Sequence, residues 1–176
     1  MQTARVHLPL LLATLTLSTH AFATSTTFKP AKHTVVAVSP ADASTIKRAI
    51  SAERGHVVVV NFWATWCEPC VAEFPDLVKF EARYRKKGVM VMAVSADMRK
   101  DIAGKVQPFV TKQHATFPQF LQVSNDPEDF INAFDTTWQG DLPRTFIYDK
   151  SGKLVKSLSG QHTMKDFAAA VDPLLK

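Results

Sequence analysis

The stretch that decides the fold reads His56-Val57-Val58-Val59-Val60-Asn61-Phe62-Trp63-Ala64-Thr65-Trp66-Cys67-Glu68-Pro69-Cys70. Its first half, from His56 to Phe62, is an almost continuous apolar run, which is typical of a strand buried on both faces of a sheet. The cysteines follow where this strand passes into a segment that we predict to be helical from about Cys67 to Lys87. The pattern therefore places a Cys-x-x-Cys pair at the start of a helix, directly behind a central strand.

The rest of the chain alternates strand and helix patterns. The further strands are predicted over Thr34 to Val38, Val89 to Ser95, Phe117 to Val123, Thr145 to Tyr148 and Leu154 to Leu158, with Pro40 ending the first. The further helices are predicted from a cap at Asp42 or Ser44 to Glu53, from a cap at Asp97 to His114, from Pro127 to Phe134 with Asp126 as its cap, and from Thr163 to about Leu175. This alternation, closed by a hairpin and a helix, indicates an α/β fold.

The N-terminus has the order of a secretory signal peptide. Arg5 precedes an apolar stretch from Leu8 to Leu17, and Ala21-Phe22-Ala23 offers a small-x-small cleavage site. An uncleaved membrane anchor is the alternative, but the apolar run is shorter than the ~20 residues that a spanning helix needs. We therefore expect a signal peptide over residues 1–23, a flexible leader over 24–32, a domain over 33–176 and a periplasmic location.

The charge and the cysteine content exclude several classes of function. The formal charge of +5 comes from basic residues that are spread along the chain, which is unlike a nucleic-acid-binding surface. We expect no nucleic-acid partner, contact with a membrane only through export, and a monomer. The chain has two cysteines, and a bridge between Cys67 and Cys70 would close too short a loop to be an effective structural staple. One Cys-x-x-Cys also supplies only half of a zinc ligand set, so we expect no metal. Redox chemistry is then the remaining interpretation of the cysteine pair.

The position of the cysteines assigns their roles. At the start of a helix, the first-turn N–H groups and the positive helix end stabilise a thiolate, so Cys67 is predicted to be the nucleophile. Cys70 lies one turn further in and is predicted to resolve the mixed disulfide, while Pro69 fixes the backbone between them.

The charge of Glu68 opposes thiolate formation at Cys67 and favours a reducing pair. Glu73, one turn beyond Cys70, is either a half-buried proton carrier with a raised pKa or an ordinary solvated residue.

Three stretches resemble the thioredoxin superfamily and, within it, the TlpA/ResA-like exported thiol–disulfide oxidoreductases. They are Asn61 to Cys70, Glu73-Phe74-Pro75, and Leu142-Pro143-Arg144-Thr145-Phe146-Ile147-Tyr148-Asp149-Lys150-Ser151-Gly152. The resemblance covers roughly Val57 to the C-terminus. It implies a thioredoxin-like fold with a central mixed β-sheet flanked by helices and an extra helix and strand before the Pro143 loop. It also implies that Glu73 tunes the cysteine pair.

The resemblance further implies a docking surface beside the cysteines. It makes Pro143 a cis proline that presents the Leu142 backbone to a partner, and we expect Trp66 to lie on the same surface. The expected function is disulfide exchange with protein substrates. We expect a reductase, in cytochrome c or copper-site maturation, that needs no cofactor beyond the Cys67–Cys70 disulfide and has a membrane protein as electron donor. A thiol peroxidase and a copper-binding chaperone on the same fold are the alternatives.

Overall fold

The computed structural model describes residues 36–176. The predicted signal peptide (1–23) and leader (24–32) lie outside the described residues, as does the start of the first predicted strand. That strand is found over Val38–Ala41, so the prediction that Pro40 ends it is wrong. Pro40 is tolerated because this is an edge strand, where a residue without an N–H can face away from its neighbour.

Six strands form one mixed sheet in the order β1-β4-β3-β2-β5-β6. Their bounds are β1 Val38–Ala41, β2 Val57–Trp63, β3 Val89–Ser95, β4 Gln119–Gln122, β5 Arg144–Tyr148 and β6 Leu154–Ser159. Strands β1 to β4 pair in parallel, whereas β5 runs antiparallel to both β2 and β6. The predicted α/β sheet and its terminal hairpin are thus confirmed.

Within residues 36–176, five α-helices cover the sheet. They are α1 Ala43–Ala52, α2 Glu68–Tyr84, α3 Gln107–Lys112, α4 Pro127–Asn132 and α5 Met164–Val171. Two predicted caps are confirmed, since Asp42 accepts a hydrogen bond from Thr45 N and Asp126 accepts from the first turn of α4. Helix α2 is shorter than predicted and passes into a 3₁₀ turn that ends at Gly88, whose φ of 84° only glycine adopts readily.

The predicted helix from Asp97 to His114 is wrong in its first half. The Asp97 carboxylate is already occupied by Thr65 and Ser95, so it cannot cap a helix. The chain instead forms a 3₁₀ turn, then a π-helical segment over Ile102–Val106, and only then α3. Pro108 lies in the first turn of α3 and has no N–H to donate to a carbonyl of the preceding turn. This missing hydrogen bond is a sufficient reason why the segment before α3 is not a regular α-helix.

The hydrophobic core lies on both faces of the sheet, and this packing holds the strand that precedes the cysteines in place. All seven residues of β2 are buried, because helices cover both faces of the central strand. On one face β2 packs against α2 and α5, and on the other against α1, α4 and Trp138. The carboxyl end of β2, where the cysteines follow, is therefore the end of a fully packed strand.

Within residues 36–176, no helix combines the length and the apolarity that crossing a bilayer requires.

Candidate active site

Cys67 and Cys70 are joined by a disulfide at the start of α2. Cys67 is the N-cap residue of the helix, and its sulfur accepts a hydrogen bond from Cys70 N at 3.3 Å. The helix thus presents the N–H groups of its first turn to the sulfur that we predict to carry the negative charge. Cys67 is 7% exposed and Cys70 is 1% exposed, so Cys67 is the more accessible of the two sulfur-bearing residues.

The remaining predicted residues of the motif surround the disulfide. Glu68 and Pro69 are exposed in the first turn of α2, and Trp66 is 68% exposed directly before the disulfide. The Leu142–Pro143 bond is cis, as the resemblance implies. Leu142 and Trp66 line the same apolar hollow, so the structure brings the Leu142 loop and the cysteine motif together. The docking roles of these residues stay predictions.

Glu73 is a buried residue in the second turn of α2. It is 1% exposed, so the solvated alternative is wrong, while its role in proton transfer stays a prediction. Its carboxylate accepts hydrogen bonds from Asn61 Nδ2 at 2.7 Å and from the main-chain N–H of His162 at 2.6 Å. Burial raises the pKa of Glu73 to about 7, and the two hydrogen bonds oppose that rise. A carboxyl group with this pKa can exchange a proton with a neighbouring thiol near neutral pH.

Asn61 connects three elements of the site. Its amide nitrogen donates to Glu73 on α2 and, at 2.9 Å, to Thr145 Oγ1 on β5. The sequence analysis names Asn61 only as part of the stretch that resembles the family and assigns it no role. A stronger signal was available, because a polar side chain within a wholly buried strand must find hydrogen-bond partners.

Asp97 holds the turn that leads into the disulfide. Its carboxylate accepts from Thr65 N at 2.9 Å, from Thr65 Oγ1 at 2.5 Å and from Ser95 Oγ at 2.6 Å. Asp97 is 3% exposed and forms no ion pair with any described residue, so these three donors are what compensate its burial. Thr65 is thus fixed two residues before Cys67, which the sequence analysis missed.

Metal ligands are not assembled in the described part of the chain. Over residues 36–176, no group of three or more His, Cys, Asp or Glu side chains is placed to hold an ion.

A disulfide that opens a helix behind the central strand of a mixed sheet defines a thioredoxin-like protein. The chain belongs to the AhpC/TSA family, whose model matches residues 42–157.

Two curated relatives share the name thiol-disulfide oxidoreductase ResA. The thiol-disulfide oxidoreductase ResA of Geobacillus thermodenitrificans is 35% identical over 113 residues, which cover 64% of this chain and 60% of that protein. The ResA of Bacillus anthracis is 38% identical over 110 residues, covering 62% of this chain and 58% of that protein. The predicted resemblance to ResA-like proteins is confirmed, and the chain spans about 60% of the length of these curated relatives.

Solved structures agree with the fold. A thioredoxin family thiol:disulfide interchange protein from Chlorobium tepidum TLS superposes with a TM-score of 0.60 at 25% identity, covering 71% of this chain and 83% of that chain. A secreted thiol-disulfide isomerase from Corynebacterium glutamicum superposes with a TM-score of 0.59 at 26% identity, covering 72% of this chain and 74% of that chain. The thioredoxin-like architecture predicted from the sequence is confirmed.

Proposed function

We propose that this protein is a thiol–disulfide oxidoreductase that exchanges disulfides with protein substrates through Cys67 and Cys70. The observation that carries the proposal is the disulfide itself, with Cys67 as the N-cap of α2 and Cys70 almost completely buried one turn later. The names of the ResA relatives and of the two superposed structures support the same activity.

The proposed cycle begins with the reduced pair. The Cys67 thiolate attacks one sulfur of a partner disulfide, forms a mixed disulfide and releases the partner's other sulfur as a thiolate. Cys70 then loses its proton to the Glu73 carboxylate and attacks the Cys67 sulfur. The partner leaves as a dithiol after taking up two protons, and the Cys67–Cys70 disulfide remains. Two electrons have passed from the cysteine pair to the partner, so a dithiol donor must reduce the pair before the next turnover.

The direction and the location of the reaction belong to the same proposal. We infer a reductase because the exposed carboxylate of Glu68 lies in the first helical turn beside Cys67. Its negative charge disfavours the Cys67 thiolate, whereas a strongly oxidising pair needs that thiolate to be stabilised. The signal peptide pattern in residues 1–23 and the secreted relative from Corynebacterium glutamicum support a periplasmic location. A reductase in an oxidising compartment needs electrons from the cytoplasm, so we propose a membrane protein as donor and cytochrome c or copper-site maturation as the setting.

Two cysteine variants test the proposal. We expect Cys67→Ser to abolish reduction of a protein disulfide, and Cys70→Ala to accumulate a mixed disulfide that is visible on a non-reducing gel. Limited alkylation of the reduced protein should label Cys67 first. Preferential labelling of Cys70 would reverse the assignment.

Two further assays on the reduced wild-type protein separate the alternatives. Rapid consumption of hydrogen peroxide without protein-disulfide exchange would favour a thiol peroxidase. Tight binding of copper in a metal titration, again without exchange, would favour a copper chaperone.

A further inference from the structure

The Glu73 carboxylate has almost no contact with solvent. The residue is 1% exposed, and its two oxygens accept hydrogen bonds from Asn61 Nδ2 at 2.7 Å and from the main-chain N–H of His162 at 2.6 Å. Neither donor can carry a proton onward, because a side-chain amide and a peptide group do not titrate near neutral pH. A proton that Cys70 gives to Glu73 therefore needs a further group through which it can leave the protein.

His162 places a titratable group at this point. It lies in the connection between β6 and α5, and the residue whose main-chain N–H contacts Glu73 also carries an imidazole ring. The ring nitrogen Nε2 is buried and has no hydrogen-bond partner among residues 36–176, whereas the residue as a whole is partly exposed. His162 thus extends from the buried carboxylate towards the protein surface, with an unused hydrogen-bonding position on its buried side.

The surroundings of the ring favour a group that gains and loses a proton. The ring packs edge-on against Phe167 at a centroid distance of 6.1 Å, which places it at the start of α5. Hydrogen bonds from Thr163 lower the pKa of Asp166, and the charge of protonated His162 lowers it further. An ionised carboxylate therefore lies close enough to stabilise the imidazolium form.

Asp76 is the other titratable neighbour of Glu73. Burial is the main cause of the raised pKa of Glu73, and the negative charge of Asp76 adds to it. The Asp76 carboxylate is paired with Lys79 at 3.1 Å. An imidazole, by contrast, ordinarily gains and loses its proton close to neutral pH. Of the two neighbours, His162 is therefore the one suited to pass a proton on.

We propose that His162 carries protons between Glu73 and solvent during disulfide exchange. This inference rests on the proposed function, in which Glu73 takes the proton of Cys70. In the oxidation step, Glu73 passes that proton to Nε2 of the neutral ring, directly or through one water molecule, and the proton on Nδ1 leaves to solvent. When the pair is reduced again, Cys70 takes up a proton by the reverse route, which restores the first tautomer.

A two-step chromogenic reaction tests the proposal with the reduced full chain. Dithiobis(nitrobenzoate) releases one coloured thiolate when Cys67 attacks it and a second when Cys70 resolves the mixed disulfide. The second step has a single proton to place, that of Cys70, because the aromatic leaving group departs as a stable thiolate. The readout is the rate of the second release relative to the rate of the first.

The effect of His162→Gln on this ratio should depend on pH. At pH 6 most Glu73 carboxyl groups already hold a proton, since burial raises their pKa to about 7. This proton must leave before Glu73 can accept another, so we expect the ratio to fall by about tenfold. At pH 8 the carboxylate can accept at once and a single turnover ends before it must release, so the ratio should match the wild type.

Added imidazole separates proton transfer from structural support. His162→Ala leaves space for a small imidazole molecule, which should restore the ratio at pH 6. His162→Gln fills that space, so it should not respond. His56→Ala is the matched control, because it removes an exposed histidine directly before β2, and it should follow the wild type under all conditions.

The possible outcomes distinguish this inference from the proposed function. A normal ratio at pH 6 in both His162 variants would overturn the role of His162 and leave the exchange function standing. A loss that is equal at both pH values and unaffected by imidazole would do the same. Glu73→Gln should slow the second release at both pH values, and if it does not, the proton step of the proposed function fails. No second release from the wild type would overturn both.

Discussion

Asn61 Nδ2 lies 2.7 Å from Oε1 of Glu73, and both side chains are buried to 99% of their residue surface. The bond joins the middle of the central strand to the helix that carries the cysteines. It also fixes the only carboxylate that lies one turn beyond Cys70, so the strand and the predicted proton carrier form one unit.

Replacing Glu73 by glutamine should change how stability depends on pH. The pKa of Glu73 is raised from an ordinary 4.5 to about 7, so the folded state binds this proton more tightly than the unfolded state does. The resulting stabilisation is complete below about pH 4.5 and is lost as the pH rises to about 7, a change of about 3 kcal/mol. Urea denaturation between pH 4.5 and 8 should show this loss in the wild type relative to Glu73→Gln. Glu128→Gln, at an exposed position of α4, is the matched control, and parallel profiles for all three proteins would contradict the prediction.

Asn61→Asp should destabilise the protein more at high pH than at low pH. The substitution places a second carboxyl group against Glu73, and two buried carboxylates in contact cannot both be ionised without a large cost. Denaturation at pH 5 and pH 8 measures the difference. Thr145→Val is the control, because it removes only the second acceptor of Asn61 and should cost about 1 kcal/mol at both pH values. A loss for Asn61→Asp that is equal at both pH values would mean that Glu73 does not respond to its neighbour.

Glu68→Gln should make the cysteine pair more oxidising. Removing the negative charge beside Cys67 stabilises its thiolate and hence the reduced form, which raises the potential by about 10 to 20 mV for an exposed charge. The wild type should lie nearer the ~−270 mV of thioredoxin than the ~−120 mV of a strong oxidase. Equilibration with glutathione measures both values, with Glu128→Gln as control. A wild-type potential above about −170 mV would rule out the reductase.

Thr65→Val should weaken the turn before Cys67. It keeps the branched shape of the side chain but removes the hydroxyl that donates to Asp97 Oδ1 at 2.5 Å. We expect a loss of about 1 to 3 kcal/mol, because a buried carboxylate loses one of its three donors, together with slower alkylation of Cys67. Thr65→Ser restores the donor and should recover both quantities. If the serine variant is as impaired as the valine variant, the hydroxyl is not responsible.

The strands and most helices were predictable because their signals are local. The run from Val57 to Phe62 has no polar residue except Asn61, and such a run has few alternatives to a central strand. The cysteine motif and the hairpin that contains Gly152 were equally predictable, since each depends on residues within a few positions of one another. The prediction for Glu73 was left open because burial depends on packing that position alone does not reveal.

The errors arise where distant residues compete for the same group. Asp97 has the form of a helix cap, but Thr65, 32 positions earlier, takes its carboxylate. Pro40 has the form of a strand end, but the edge position of β1 makes its missing N–H harmless.

The unequal burial of the two cysteines has a consequence for kinetics. With Cys70 only 1% exposed, Cys67 is the sulfur that the proposed electron donor and the proposed protein substrate would both have to reach. One sulfur cannot form a bond to two partners at once, so donor and substrate compete for Cys67 and react with it alternately. Turnover should therefore follow ping-pong kinetics, in which an excess of either partner slows the reaction by occupying the form of the protein meant for the other.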